Sequence, residues 1–320
     1  MIGLDELRQR VEGEYYRRTP RSRVLHERAQ AWLPGGETRT GTAFAPYPTY
    51  MDRGEGNYLY DVDGSRLLDF TNNSTSLIHG HAHSALVRAI REQAARGTGW
   101  HAPHELQARL ARLLCERVPS LERVRFCNSG TEANMNAIKA ARAFTGRDRI
   151  VKTDSAYHGS YEGVEFDGAG DSANGAAPAM RPTPTSRGVP RSMAENVLTM
   201  PFDDCDAARR LVARHRHELA AVLVNPIVTR AGLHLPSPGY LGCLREVARD
   251  NDVLLIFDEV ITLRIARGGA QDYYGVVPDL TAMGKIVGGG LPVGAFGGRA
   301  DIMEVFATGD PPLVPHSGTF

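Results

Sequence analysis

Lysine is scarce in this chain of 320 residues: of its 37 basic side chains only three are lysine, Lys139, Lys152 and Lys285. Net charge is absent too, with 37 acidic against 37 basic residues, which argues against a nucleic-acid groove or an anionic membrane surface as partner. No apolar run approaches the roughly 20 residues that a membrane span needs. The start, "MIGLDELRQRVEG", carries acidic residues and lacks the apolar centre of a signal peptide. Cys115, Cys127, Cys205 and Cys243 are widely spaced, with no CxxC pair. That spacing speaks for the reduced thiols of a cytoplasmic enzyme rather than for a disulfide framework. The three histidines of "HGHAH" (His79, His81, His83) are followed by no cluster with ligand spacing, so no metal is expected. No internal repeat is present.

What the chain does have is alternation. Helical periodicity runs through "DELRQRVEGEYYRR" and "RSRVLHERAQAWL", and stops at Pro34-Gly35-Gly36. "NYLYDVDGSRLLDFT" reads as two short strands around an Asp-Gly turn. From about residue 84 helices and strands alternate: "RVRFCN", "DRIVKTD", "NVLTM", "AAVLVNP" and "VLLIFDEV" are strands with helices between them. This order predicts an α/β fold with a mostly parallel, doubly wound sheet. Residues 167–196, rich in Gly, Ala, Pro and Ser, offer little apolar surface and are expected to form a flexible insertion.

Ligands of such sheets sit beyond the C-terminal ends of the strands. At one such end stands Ser129-Gly130-Thr131, a turn entering a helix. Its backbone N–H groups, two hydroxyls and helix dipole suit a phosphate; the competing reading is an ordinary N-cap by Thr131, with Asn134 three residues on. "VLLIFDEV" delivers Asp258 and Glu259 from a buried strand, where a carboxylate needs a cation or donor. An ATPase reading of that strand fails, because no GxxxxGK[ST] loop accompanies it. In "TAMGKIVGGGLP", Lys285 sits among glycines. Lysine, unlike arginine, can lose its proton when buried and attack a carbonyl. An aldimine-forming lysine, a phosphate cup and an acid for a pyridine nitrogen are together what pyridoxal phosphate requires. Tyr157-His158-Gly159, after another strand, offers an aromatic that could stack on the ring.

These residues carry a resemblance. "FCNSGTEANMNAIKAARAFTGRDRIVKTDSAYHG", "LLIFDEVIT" and "PDLTAMGKIVGGGLPVGAFGGRADIM" resemble class III aminotransferases of PLP fold type I. The similarity is closest to the branch of glutamate-1-semialdehyde aminomutases and β-amino-acid (β-phenylalanine-type) aminotransferases, and it spans "LPGGETRTGTAFAPYP" to "HSGTF". It implies that residues 1–70 are N-terminal helices and short strands of a small domain and 71–320 the large PLP-binding domain, with the family's C-terminal small domain absent. Lys285 would be the catalytic lysine that holds the cofactor, and Asp258 the partner of its pyridine nitrogen. Ser129, Gly130, Thr131, Tyr157 and His158 would bind the cofactor, and Thr319 would reach the phosphate of a partner subunit in a homodimer. Arg39 would grip a substrate carboxylate through its guanidinium fork.

Three departures shape the expected activity. The chain ends where the family continues. "NPIVTRAG" replaces the usual Glu-Pro and following Gln or Asn, so the roles of Asn225, Val228 and Arg230 are open. "DEVITLRIARGG" is one residue shorter than in the aminomutases, and "NNSTSLIHGH" stands in place of their tryptophan segment. The last departure favours an aminotransferase that moves an amino group from an amino acid, with a β-amino acid among the candidates, to a keto acid. The alternatives are an intramolecular aminomutase of the glutamate-1-semialdehyde kind, a racemase, or a non-catalytic binding protein on the same fold.

Overall fold

The computed structural model describes residues 3–169, 181–230, 232–307, 309 and 313–318. The chain groups into two units, Met1–Arg96 and Gly97–Phe320. The first holds α1 (Leu4–Arg18), α2 (Pro20–Ala29), α3 (Asn72–Thr75) and α4 (Ser84–Ala94). In α1, Asp5 and Glu6 lie in the first turn and Arg17 and Arg18 in the last, complementing the helix dipole. The strands β1 (Met51–Glu55), β2 (Tyr58–Asp61) and β3 (Arg66–Leu68) form an antiparallel meander. The Asp-Gly turn read from the sequence joins β2 to β3, and Asp61 Oδ1 accepts from Asp63 N (3.0 Å) and Ser65 N (2.7 Å) to close it. Gly64, at φ 94°, takes the left-handed position that the turn requires.

The second unit is built on a seven-stranded sheet. In chain order its strands are β4 (Arg123–Cys127), β5 (Arg149–Thr153), β8 (Val197–Met200), β9 (Leu219–Val224), β10 (Leu254–Asp258), β11 (Leu280–Met283) and β12 (Gly294–Gly298). Spatially they run β4-β12-β11-β10-β9-β5-β8, and β12 alone is reversed. The expected mostly parallel sheet is therefore present. Helices α5 (Glu105–Arg117), α6 (Gly130–Thr145), α7 (Cys205–His215), α8 (Tyr240–Asp250), α9 (Ala270–Tyr274) and α10 (Ala300–Met303) surround it. Gly146, at φ 67°, ends α6 as the sequence predicts.

Strand alternation divides the core. On one face, Ala221, Leu223, Leu254, Ile256 and Ile150 pack against Ala133, Ala137, Ile138 and Ala141 of α6. On the other, Val222, Val224, Leu255 and Phe257 meet Leu244, Val247 and Ala248 of α8 and Val212 of α7. Because β9 and β10 are buried on both faces, they read as continuous apolar runs in the sequence. The alanines of α6 let that helix lie close to the sheet, which sets how near its N-terminus comes to the strand ends.

Two sequence expectations meet a different structure. Cys205 and Cys243 form a disulfide, with their Cα atoms 6.2 Å apart, while Cys115 and Cys127 are free. Packing of α7 beside α8 brings together two cysteines that are 38 residues apart, and linear spacing carries no trace of that. Within 167–196, the described residues pair as an antiparallel ladder of β6 (Phe166–Ala169) with β7 (Arg181–Pro184), followed by a 3-10 segment at Arg191–Asn196. Phe166 is fully buried at the start of this ladder. Residues 170–180 of the expected insertion lie outside the described residues. Among the described residues, no helix is long and apolar enough to cross a membrane.

Candidate active site

The site forms where the loops after β4, β5, β10 and β11 meet at the C-terminal edge of the sheet. Ser129 caps α6, its hydroxyl accepting from Glu132 N at 3.2 Å. Glu132 reaches back to Asn128 N at 3.0 Å, close to a capping box. The cap is therefore Ser129, not Thr131, whose Oγ1 instead accepts from Ser160 N at 3.3 Å. The N–H groups of Gly130 and Thr131 belong to the first helical turn, where no intrahelical acceptor exists. Backbone donors at a helix N-terminus, with hydroxyls beside them, make an anion cup.

Glycines let these loops touch. A Cβ on Gly130 would lie 2.7 Å from Val260 Cγ2, and one on Gly284 would lie 3.3 Å from Gly130 Cα and Val260 Cγ1. Thus the residue before Lys285, the middle of the Ser129–Thr131 turn and the residue two beyond Asp258 are in contact. On the other side, Gly159 adopts φ 112°, and a Cβ there would come within 2.6 Å of Thr131 Oγ1. The four loops are locked together by the absence of side chains.

Lys285 sits at the start of a 3-10 turn with φ 49°, a left-handed conformation that strains a side-chain-bearing residue by roughly 1–2 kcal/mol. Burial pushes its amine down from the ordinary lysine range, and the charge of Asp258 pulls the other way. Desolvation favours the unprotonated amine, which is the form that attacks a carbonyl. Asp258 is buried at the end of β10. Its Oδ2 accepts from Asn134 Nδ2 and stands against His158 Nδ1, both at 2.8 Å, and Oδ1 accepts from Val260 N at 3.0 Å. His158 is enclosed, and burial pushes its imidazole down despite the pull of Asp258. Tyr157 is about half exposed, its hydroxyl 3.2 Å from Ser160 Oγ.

Most of the residues predicted from the sequence therefore meet in one place: Ser129, Gly130, Thr131, Tyr157, His158, Asp258 and Lys285. Arg39 belongs to the other unit, where it precedes the turn Thr40–Thr42 with an exposed side chain. Thr319 lies outside the described residues. Of the altered "NPIVTRAG" stretch, Val228 pairs through its backbone with His234, and Arg230 Nη1 lies 3.7 Å from Asp167. Asn134 is the residue that sequence reasoning placed in a cap and the structure places on Asp258, with a second bond to His158 O at 3.1 Å. Its signal is a polar side chain on the alanine stripe of α6. A buried amide there needs partners, and the strand ends are what it faces.

The residues fit pyridoxal phosphate. An amine held below its usual range, a carboxylate with an open acceptor position and an N-terminal helix cup are the three chemistries the cofactor needs. Gly130, Gly159 and Gly284 let the loops that carry these groups approach closely.

Comparison with known proteins agrees. Residues 41–320 match the model of the class-III aminotransferase family. A glutamate-1-semialdehyde 2,1-aminomutase of Desulforudis audaxviator is 47% identical over 304 residues, covering 93% of this chain and 68% of that protein. An omega-transaminase from Sphaerobacter thermophilus superposes with a TM-score of 0.89 at 50% identity, over 93% of this chain and 68% of its own. A β-phenylalanine aminotransferase from Variovorax paradoxus gives 0.87 at 38% identity, over 99% and 69%. The shared motifs, the sheet order and the meeting of lysine, aspartate and phosphate turn lead to one assignment: this chain belongs to the class-III aminotransferases, enzymes that depend on pyridoxal phosphate.

Proposed function

We propose that the protein transfers an amino group from an amino acid, a β-amino acid among the candidates, to a keto acid. The observation that carries this reading is the contact of Gly284 with Gly130 and Val260, which brings together the loops that bear Lys285, the Ser129–Thr131 cup and Asp258. Bound pyridoxal phosphate supplies an aldehyde for amine exchange and a ring that draws electrons from the substrate carbon. The protein supplies the rest. Ser129, Gly130 and Thr131 hold the phosphate by backbone and hydroxyl donors. Tyr157 offers an aromatic face, and Asp258 Oδ1 keeps an acceptor position for a protonated ring nitrogen. Lys285 Nζ anchors the cofactor and then carries the proton to and from the substrate carbon, as general base and acid. Arg39 receives the substrate carboxylate.

The short "DEVITLRIARGG" and Arg39 support transfer between two molecules, as does the likeness to proteins named as transaminases. A second reading, intramolecular transfer on glutamate-1-semialdehyde, is supported by the 47% identity to a protein named for that reaction. The same proposal takes the protein as a homodimer in which Thr319 serves the neighbouring site, and residues 71–320 as its cofactor-binding domain.

The test separates the readings. An amino acid alone should change the absorption of the bound cofactor and release a keto acid, and 2-oxoglutarate or pyruvate should restore it with turnover. Isomerisation of glutamate-1-semialdehyde without an acceptor would instead establish the second reading. Arg39→Ala should weaken acid substrates by about 1.5–3 kcal/mol, read as a raised KM. Arg39→Lys should recover only part, because a point charge cannot replace the fork.

A further inference from the structure

Lys152 is one of three lysines in the chain, and it is completely buried within β5. An apolar side chain of similar length would cost less to bury than an amine, so its partners are informative. Its Nζ donates to Phe166 O at 2.6 Å and to Asp167 Oδ1 at 3.4 Å. Asp167 Oδ1 also accepts from Ser155 N at 3.2 Å, and its Oδ2 lies 3.7 Å from Arg230 Nη1. In the opposite direction, Asp154 Oδ1 accepts from Gly168 N at 2.6 Å. The strand β6 is thus tied on both sides to residues 152–155. There the chain turns, with Ser155 at φ 56°, and two residues later it presents Tyr157 and His158.

Ile150 lies on the α6 face of the sheet, and Lys152, two residues on, shares that face. His158 Nδ1 is 2.8 Å from Asp258 Oδ2, while His158 Nε2 is buried with no hydrogen-bond partner among the described residues. The charged groups acting on this imidazole are Asp258 of β10, Lys152 of β5 and Asp167 of β6. Burial pushes it down most, Asp258 pulls it back, and the Lys152 cation pushes it down again. The neutral ring with its proton on Nδ1, donating to Asp258, satisfies all three.

We propose that the Lys152–Asp167 pair, its amine buried and its carboxylate partly exposed, is a positioning device that fixes the turn from Asp154 to Gly159 and so holds His158 Nδ1 on the Asp258 carboxylate. Its consequence for the cofactor rests on the reading that Asp258 faces the pyridine nitrogen. Without the pair, the turn is left with the Asp154–Gly168 bond to β6, and the ring loses the cation that opposes its protonation.

The experiment uses Lys152→Met, which keeps length and removes charge, and Asp167→Asn, which keeps shape and the Lys152 bond to Phe166. Ring nitrogen shifts of His158, read by NMR in cofactor-free protein, should show a single Nδ1–H neutral form in the parent. In Lys152→Met they should show an imidazolium fraction or mixed tautomers near neutral pH, whereas Asp167→Asn, which removes an acid that favours the charged ring, should show mixed tautomers without an imidazolium fraction. The Kd for pyridoxal phosphate should rise about tenfold in Lys152→Met, while borohydride should still fix the cofactor to Lys285. Unchanged ring shifts and Kd within about twofold in both folded variants would overturn the proposal. A parent protein whose borohydride label misses Lys285 would remove the cofactor from the argument, and the His158 signals would still decide the positioning claim.

Discussion

Asp258 and Glu259 are consecutive residues at the end of β10, and both carboxylates are shut away from solvent. Around Asp258, three donors reach the two oxygens: Asn134 Nδ2, His158 Nδ1 and Val260 N. Around Glu259 there are four: Thr262 Oγ1 at 2.9 Å and Ala270 N at 2.6 Å on Oε2, Gln271 N at 3.0 Å and Gln271 Nε2 at 3.1 Å on Oε1. A carboxylate has about four acceptor positions. Glu259 has filled all of them within the protein, and it ties the loop from Thr262 to Gln271 to the strand. Asp258, among the described residues, keeps one, on Oδ1. Burial alone does not separate a scaffold acid from a working one; the count of open acceptor positions does.

The largest test of this division is Asp258→Asn. An amide of the same shape can still meet some of the three donors but cannot hold a proton on a ring nitrogen. We expect kcat to fall about 100-fold or more, roughly 3 kcal/mol of transition-state stabilisation, with folding little changed. A kcat within a few-fold of the parent would place Asp258 among the scaffold acids.

Glu259→Gln should do the reverse. Its amide nitrogen would face two donors, leaving buried groups unpaired at a cost of about 2–4 kcal/mol in chemical unfolding. Pyridoxal phosphate should still bind whatever fraction stays folded. Loss of cofactor affinity in a fully stable Glu259→Gln protein would break the comparison.

The smallest expected effect sharpens the Lys285 side. Its folded amine is held below the ordinary 10.5 by burial. A lowered lysine contributes stability above its unfolded value and loses it as pH falls through the folded one. Cofactor-free Lys285→Met should therefore match the parent near pH 10.5 and melt a few degrees higher at neutral pH. A gap that is constant across that window would show that the amine is not desolvated.

Much of this site was legible residue by residue. Lys285 among glycines, Asp258 at the end of an apolar strand and the Ser129–Thr131 turn each stand at a strand-to-loop junction, a place that periodicity locates well. The role of Asn134 was not legible, because a polar residue in a helix looks the same whether it caps, faces water or bonds to a strand. Lys152 was invisible for a similar reason: its Asp167 partner lies 15 residues on, within a stretch whose composition predicts no structure. The disulfide between Cys205 and Cys243 depends on the packing of α7 beside α8, which no spacing rule contains.

By itself the sequence determined the alternating elements, the parallel sheet and the chemical character of the cluster, because these follow from local periodicity and from what each side chain can do. Only the tertiary structure decided which groups touch. Asp258 became the open acid and Glu259 the closed one because successive side chains of a strand point to opposite faces. One of those faces met α6 and the His158 turn, and the other met Gln271 and Thr262.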